Sequence, residues 1–189
     1  MKRSELVELL EETPVVAAVK SEEGLDKCLE SESQVVFVLY GTVVTISEIV
    51  ARIKEAGKTA LVHVDLIDGL SAREASIDFI AKETGADGII STKPALVRYA
   101  KNHGLLTIQR FFLLDSIALV NVQKQLAQEG ADLVEVLPGV MPKIIHRLAE
   151  SCQKPIIAGG LISDKEDVVN ALSAGAAAVS STNPGVWFL

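Results

Sequence analysis

The sequence predicts a single-domain α/β protein: an eight-stranded parallel barrel of the TIM-type (β/α)8 class, preceded by a short N-terminal helix. Three observations lead there. The composition is 49% hydrophobic but only 4% aromatic, as expected where strands rich in Val, Ile, Leu and Ala are buried on both faces beneath helices. Short apolar runs alternate with amphipathic stretches along the whole 189 residues, the pattern of successive βα units. Finally, a Gly-Ala pair recurs at Gly85-Ala86, Gly130-Ala131 and Gly175-Ala176, a spacing of 45 each time. Such a period covers two βα units, so the even-numbered strands share one local design. The register extends to the strand ends, where Ser91-Thr92-Lys93-Pro94 matches Ser181-Thr182-Asn183-Pro184 at a shift of 90. An open doubly wound sheet explains the alternation but not this doubling.

The elements follow in order. A helix over about Ser4 to Leu10 leads to a first strand, Val15 to Val19, with Lys20 at its carboxyl end. Next come a helix over Glu22 to Glu30, a strand over Val35 to Tyr40, and a helix from Thr45 to Ala56 that stops at Gly57, a common C-terminal position for glycine. The third strand is Thr59 to Leu66, followed by a helix over Ala72 to Thr84 and a fourth strand, Gly88 to Thr92. Pro94 to His103 is helical and Leu105 to Arg110 extended; Asp115 then caps a helix that runs to about Glu129. A sixth strand, Leu133 to Leu137, precedes a helix over Pro142 to Cys152, with proline in its first turn. The chain closes with a strand at Ile156 to Ala158, a helix over Asp164 to Ala174, and a small-residue strand ending in Ser180-Ser181-Thr182.

Charge and cysteine usage narrow the class. The net charge is -7. Cys28 and Cys152 stand far apart without metal-ligand spacing, so reduced thiols in a cytoplasmic protein are expected. No apolar run reaches the roughly 18 residues of a membrane span, and Met1-Lys2-Arg3 leads into an acidic amphipathic segment rather than a signal peptide. No metal or other cofactor is expected, since no acidic or histidine cluster has the required spacing. The oligomeric state stays open, a homo-oligomer included.

Residues that carry chemistry in such barrels stand at the carboxyl ends of strands. Lys20, Asp65, Asp68, Lys93, Gln109, Arg110 and Glu135 qualify, with the loops around Gly159 and Ser181. The last two strands hold the usual phosphate position: Gly159 and Gly160 permit close approach to the main chain, and Ser181 and Thr182 supply hydroxyls. Lys93 and Arg110 are alternative cations for the anion, while an internal pair with Glu135 competes for Arg110. His63 shares the parity of Asp65 on the third strand, and reads either as a buried core histidine or as a partner for a polyol hydroxyl.

Five segments together resemble the glycerol-uptake-operon antiterminators, regulatory barrels that respond to glycerol 3-phosphate and act on leader mRNA. They are H-V-D-L-I-D-G-L (His63 to Leu70), G-I-I-S-T-K (Gly88 to Lys93), I-Q-R-F-F-L-L-D-S (Ile108 to Ser116), E-V-L-P-G (Glu135 to Gly139) and P-I-I-A-G-G-L-I (Pro155 to Ile162). The resemblance implies a regulator of glycerol metabolism genes rather than an enzyme, with no catalytic residue. It makes Gly159, Gly160, Ser181 and Thr182 the phosphate cradle, with Lys93 or Arg110 in support. Their position at strand ends gives the glycerol hydroxyls to Asp65, Gln109 and Glu135. For RNA, residues 93 to 154 hold eight Lys/Arg against five Asp/Glu, while the remainder is acidic. Arg98 and Lys101, and Lys143, His146 and Arg147, fall at helical i, i+3, i+4 spacings there and form the candidate RNA face. The competing reading is a phosphosugar isomerase, synthase or aldolase on the same site, with Asp65 or Glu135 as acid or base or Lys93 as nucleophile.

Overall fold

The computed structural model describes residues 1–126 and 130–189. Its eight strands are β1 (Val15–Val19), β2 (Val35–Val38), β3 (Thr59–His63), β4 (Gly88–Ser91), β5 (Leu106–Phe112), β6 (Leu133–Leu137), β7 (Ile156–Gly159) and β8 (Ala178–Ser181). Each pairs in parallel with the next, and β8 returns to β1, giving a closed barrel in chain order. Helices α2 (Glu22–Leu29), α3 (Ile46–Glu55), α4 (Glu74–Glu83), α5 (Pro94–Asn102), α6 (Ser116–Leu126), α7 (Pro142–Ser151) and α8 (Lys165–Ser173) join successive strands. The expected end of the sixth helix, at Glu129, lies outside the described residues. Local chemistry sets the helix starts: Ser21, Asp115 and Asp164 each accept a main-chain N–H at an N-terminus, and Pro94 and Pro142 occupy first turns.

Strand alternation sorts side chains into two cores. Val16, Ala18, Phe37, Leu61, Ile90, Ile108, Leu133 and Ile157 fill the lumen together with Leu6 and Leu10. Those two leucines belong to α1 (Arg3–Glu12), which therefore stoppers the amino-terminal end of the barrel. Each fully buried Val, Leu, Ile or Phe among them contributes about 1.5–3 kcal/mol. The opposite parity packs under the helices, as with Ala17, Val19, Val36, Val38 and Val62. The repeat also has a physical role: after Gly-Ala, Asp87 accepts the N–H of Ala60 and Asp132 that of Thr107, so each carboxylate ties the amino end of an even-numbered strand to its predecessor.

Several boundaries shift by a residue or two, and three differences from expectation bear on the site. β3 stops at His63, and a 3-10 turn, Val64–Leu66, carries Asp65 off the strand. β5 runs on to Phe112 because Phe111 and Phe112 pair with Val136 and Leu137 of β6. A final helix, α9 (Pro184–Trp187), turns the buried Trp187 back so that its Nε1 donates to Ser181 O at 2.7 Å.

Candidate functional site

A cleft of about 550 Å³ opens at the carboxyl ends of the strands, above the lumen. Its floor is polar. Arg110 on β5 donates through Nε to Glu135 Oε2 on β6 at 2.5 Å, and Ser180 on β8 donates to Glu135 Oε1 at 2.6 Å. Glu135 is 1% exposed and Arg110 7%, so both charges are desolvated and the pairing is what makes their burial tolerable. The four terminal N–H groups of Arg110 have no protein acceptor among the described residues and line the cleft, a fork suited to a phosphate or a hydroxyl.

Gly159 has a packing role beneath the cleft. A Cβ there would lie 2.5 Å from Ser180 Oγ and 2.6 Å from Glu135 Oε1. The missing side chain leaves room for the Glu135–Ser180 hydrogen bond. Next to it, Gly160 and Leu161 have φ of 72° and 64°. Leucine in the left-handed region costs roughly 1 kcal/mol or more, and its side chain is 73% exposed, so no packing gain offsets that strain. Both residues line the cleft, with Ile162, Ser163, Ser181, Thr182 and Asn183 along the same wall.

The duplicated Ser-Thr-X-Pro turns can be compared directly. After β4, Ser91 Oγ, the Thr92 N–H and Thr92 Oγ1 all donate to the Asp65 carboxylate, at 3.0, 2.7 and 2.9 Å, and Lys93 Nζ stands 3.4 Å away. That turn is an anion cradle occupied by the protein's own carboxylate. After β8, Ser181 Oγ instead donates to Ile162 O at 2.7 Å and accepts the Asn183 N–H at 3.1 Å, as Ser91 Oγ accepts that of Lys93. Thr182 Oγ1 has no protein partner among the described residues and faces the cleft. Lys20, at the end of β1, lines an adjoining recess with Thr182 and likewise makes no ion pair among the described residues.

Asp65 is therefore held away from the cleft, on the β4 side. Burial raises its pKa, but the Thr92 N–H, the Thr92 hydroxyl and the Ser91 hydroxyl outweigh that and leave it lowered. His63 is 2% exposed, and its Nδ1 lacks a hydrogen-bond partner among the described residues. Burial, reinforced by the charge of Arg110, lowers its pKa to about 4 against the pull of Asp65. The imidazole is thus neutral at pH 7, and its 4.0 Å approach to Asp65 is not an ion pair there.

Of the expected ligand groups, Arg110, Glu135, Gly160, Ser181 and Thr182 come together around the cleft, while Gly159 supports its floor. Lys93 and Asp65 pair with each other across the barrel mouth, since β4 lies opposite β8. Gln109 has the outward parity on β5; its Nε2 donates to Ser91 O at 3.3 Å and it lines a 30 Å³ pocket under α5 and α6. Ser180 went unselected, although it stands one 45-residue period after Glu135 and so in the same barrel layer. The candidate RNA face divides in two. Arg98 and Lys101 are on α5, and Lys143, His146 and Arg147 on α7, with α6 between them in the helix ring. Lys101 pairs with Asp132 at 3.0 Å, and His146 stands 3.5 Å from Glu150.

Comparison with known proteins bears on what this cleft does. Residues 15–187 match the family described as glycerol-3-phosphate responsive antiterminator. The chain is 48% identical over 184 residues to YgcP of Escherichia coli (strain K12), covering 97% of this chain and 96% of that one. Among solved structures it is similar to the glycerol uptake operon antiterminator regulatory protein of Listeria monocytogenes strain 4b F2365, with TM-score 0.88 and 32% identity over 93% of this chain and 95% of the other. A glycerol uptake operon antiterminator-related protein of Thermotoga maritima MSB8 follows with TM-score 0.80 and 32% identity, covering 92% and 96%.

Proposed function

Because the chain belongs to the glycerol-3-phosphate responsive antiterminator family, we propose that the cleft binds glycerol 3-phosphate and that the occupied protein acts on leader mRNA of glycerol metabolism genes in the cytoplasm. One observation carries the ligand reading. Of two turns built alike, the one after β4 is filled by the Asp65 carboxylate, and the one after β8 presents Thr182 to an open cleft. The phosphate takes that second position, against the left-handed Gly160-Leu161 turn and Thr182, with Lys20 beside it. The glycerol end points down to Arg110 and Glu135, whose remaining donors and lone pairs match vicinal hydroxyls. Of the two candidate cations, Arg110 serves the ligand, because Lys93 is committed to Asp65.

The role is regulatory. Lys93, the nucleophile of the competing enzyme reading, is half-exposed and paired with Asp65 outside the cleft, and both oxygens of Glu135 are already engaged. Among the described residues no helix is long and apolar enough to cross a membrane.

A melting experiment tests the ligand. At a free concentration of 100 times Kd, glycerol 3-phosphate stabilises the folded state by about 2.7 kcal/mol, or roughly 5–11 °C for a chain of this size. Glycerol and inorganic phosphate, each at the same concentration, should give much smaller shifts. Equal shifts from phosphate alone would reduce the cleft to a generic anion pocket. A folded Gly160→Asp variant should lose the response, because a side chain at this left-handed position crowds Leu137 on the cleft wall and sets a negative charge beside the phosphate.

A further inference from the structure

The two Ser-Thr-X-Pro turns face each other across the barrel mouth, since β4 lies opposite β8 in the closed sheet. Their inner geometry is the same: Ser91 Oγ accepts the Lys93 N–H at 3.0 Å, and Ser181 Oγ accepts the Asn183 N–H at 3.1 Å. They differ in what the neighbouring loop delivers. The loop after β7 brings a neutral main-chain carbonyl, Ile162 O, to the Ser181 hydroxyl. The loop after β3 brings the Asp65 carboxylate, which accepts from Ser91 Oγ, the Thr92 N–H and Thr92 Oγ1 and stands 3.4 Å from Lys93 Nζ. Burial opposes the charge on Asp65, but the hydrogen bonds from Thr92 and Ser91 outweigh it, so the carboxylate is ionised at neutral pH.

A main-chain N–H, two hydroxyls and an ammonium converge here on two anionic oxygens, at the start of the nine-residue helix α5. That is the donor set of a phosphate site. An independent observation points to the same place. His63 is 2% exposed, and its Nδ1, 4.0 Å from Asp65 Oδ2, has no hydrogen-bond partner among the described residues. It is a buried polar atom beside the anion that the flat carboxylate leaves unsatisfied. We propose that Asp65 is a specificity-determining residue: its carboxylate fills a second phosphate cradle, so that the barrel mouth takes a polyol phosphorylated at one end and turns away one phosphorylated at both.

The proposal rests on the reading that the first phosphate sits at the β8 turn, and it sets the length of ligand that the plug discriminates. Eight strands about 4.8 Å apart and tilted by about 36° close into a ring about 15 Å across. With a phosphate oxygen about 3 Å in from each wall, a gap on the order of 9 Å remains, which an open six-carbon polyol bridges and a three-carbon one does not. Glycerol 3-phosphate therefore meets one cradle whatever stands at residue 65. A hexitol 1,6-bisphosphate meets the Asp65 carboxylate at its second end, where like charge repels it and the donors are already engaged.

The test is calorimetric titration of the parent and of Asp65→Ala with glycerol 3-phosphate and with a hexitol 1,6-bisphosphate at fixed ionic strength. One charge-assisted hydrogen bond is enough for a tenfold change in affinity, so Asp65→Ala should bind the bisphosphate at least tenfold more tightly than the parent does. Its Kd for glycerol 3-phosphate should stay within about twofold of the parent value. Adding Lys93→Ala should remove most of the gain, which ties it to the β4 turn. Should Asp65→Ala fail to fold, Asp65→Asn, which fills the same space without the charge, should still gain for the bisphosphate alone. A folded variant that gains nothing, or gains equally for both ligands, overturns the proposal. If no protein binds glycerol 3-phosphate, the ligand reading of the cleft fails, and the second cradle is judged by inorganic phosphate diffused into crystals of Asp65→Ala. A phosphate held by the Thr92 N–H upholds it there, and an empty turn overturns it.

Discussion

Replacing Gly159 by alanine adds one methyl group at the most crowded point of the cleft floor, and its consequence can be worked out from the neighbours. The new Cβ would stand 2.5 Å from Ser180 Oγ, 2.6 Å from Glu135 Oε1 and 3.3 Å from Glu135 Cδ. Neither side chain yields cheaply, because Ser180 donates to Glu135 and the other carboxylate oxygen holds Arg110. Overpacking alone costs about 1–3 kcal/mol, and prising a buried arginine from its carboxylate costs about 3–5 kcal/mol. Partial relaxation of both places Gly159→Ala about 3 kcal/mol below the parent. For a chain of this length that corresponds to a melting temperature lower by roughly 6–12 °C. Urea unfolding with an unchanged m-value reads the same loss in the folded state. Adding Ser180→Ala removes the shorter of the two clashes and should restore part of the stability, but not all, since the Glu135 contact persists. A Gly159→Ala protein that melts within 2 °C of the parent would refute the idea that this glycine is dictated by the Arg110–Glu135–Ser180 chain.

Two further predictions concern the opposite side of the barrel mouth. His63 is held neutral in the folded protein, with a pKa near 4 against an ordinary 6.5, so unfolding takes up a proton in between. Its contribution to stability is complete above about pH 6.5 and is lost as the pH falls towards 4, at most about 3 kcal/mol; His63→Gln should flatten urea midpoints measured across that window. Asp65→Asn removes the charge that accepts from Ser91, Thr92 and Lys93, and should cost about 1–3 kcal/mol by urea unfolding. The Kd for glycerol 3-phosphate should stay within about twofold, because the carboxylate does not line the cleft. A tenfold weaker Kd would return Asp65 to the ligand.

The barrel was legible because its signals are repetitive. Apolar runs recur at a spacing that only βα units satisfy, and the Gly-Ala period of 45 residues marks the even-numbered strands. The cleft was legible in outline, since strand ends are where this fold places chemistry, but individual side chains were harder. Gln109 and Arg110 are neighbours in sequence and differ only in parity, so one faces the helices and the other the lumen. Asp65 kept the parity of His63 on paper, and a 3-10 turn after His63 broke it. Ser180 was recoverable from the same period that links Glu135 to it. The strain at Leu161 has no sequence signature, because nothing about a leucine announces φ of 64°.

A crystal structure of the protein with glycerol 3-phosphate tests the central claim most directly. The account predicts the phosphate between the Gly160-Leu161 turn and Thr182, with the glycerol hydroxyls on Arg110 and Glu135 and the Asp65 carboxylate still seated on Thr92. Glycerol 3-phosphate bound instead through Lys93 on the β4 side, with Asp65 displaced and the β8 turn empty, would contradict it.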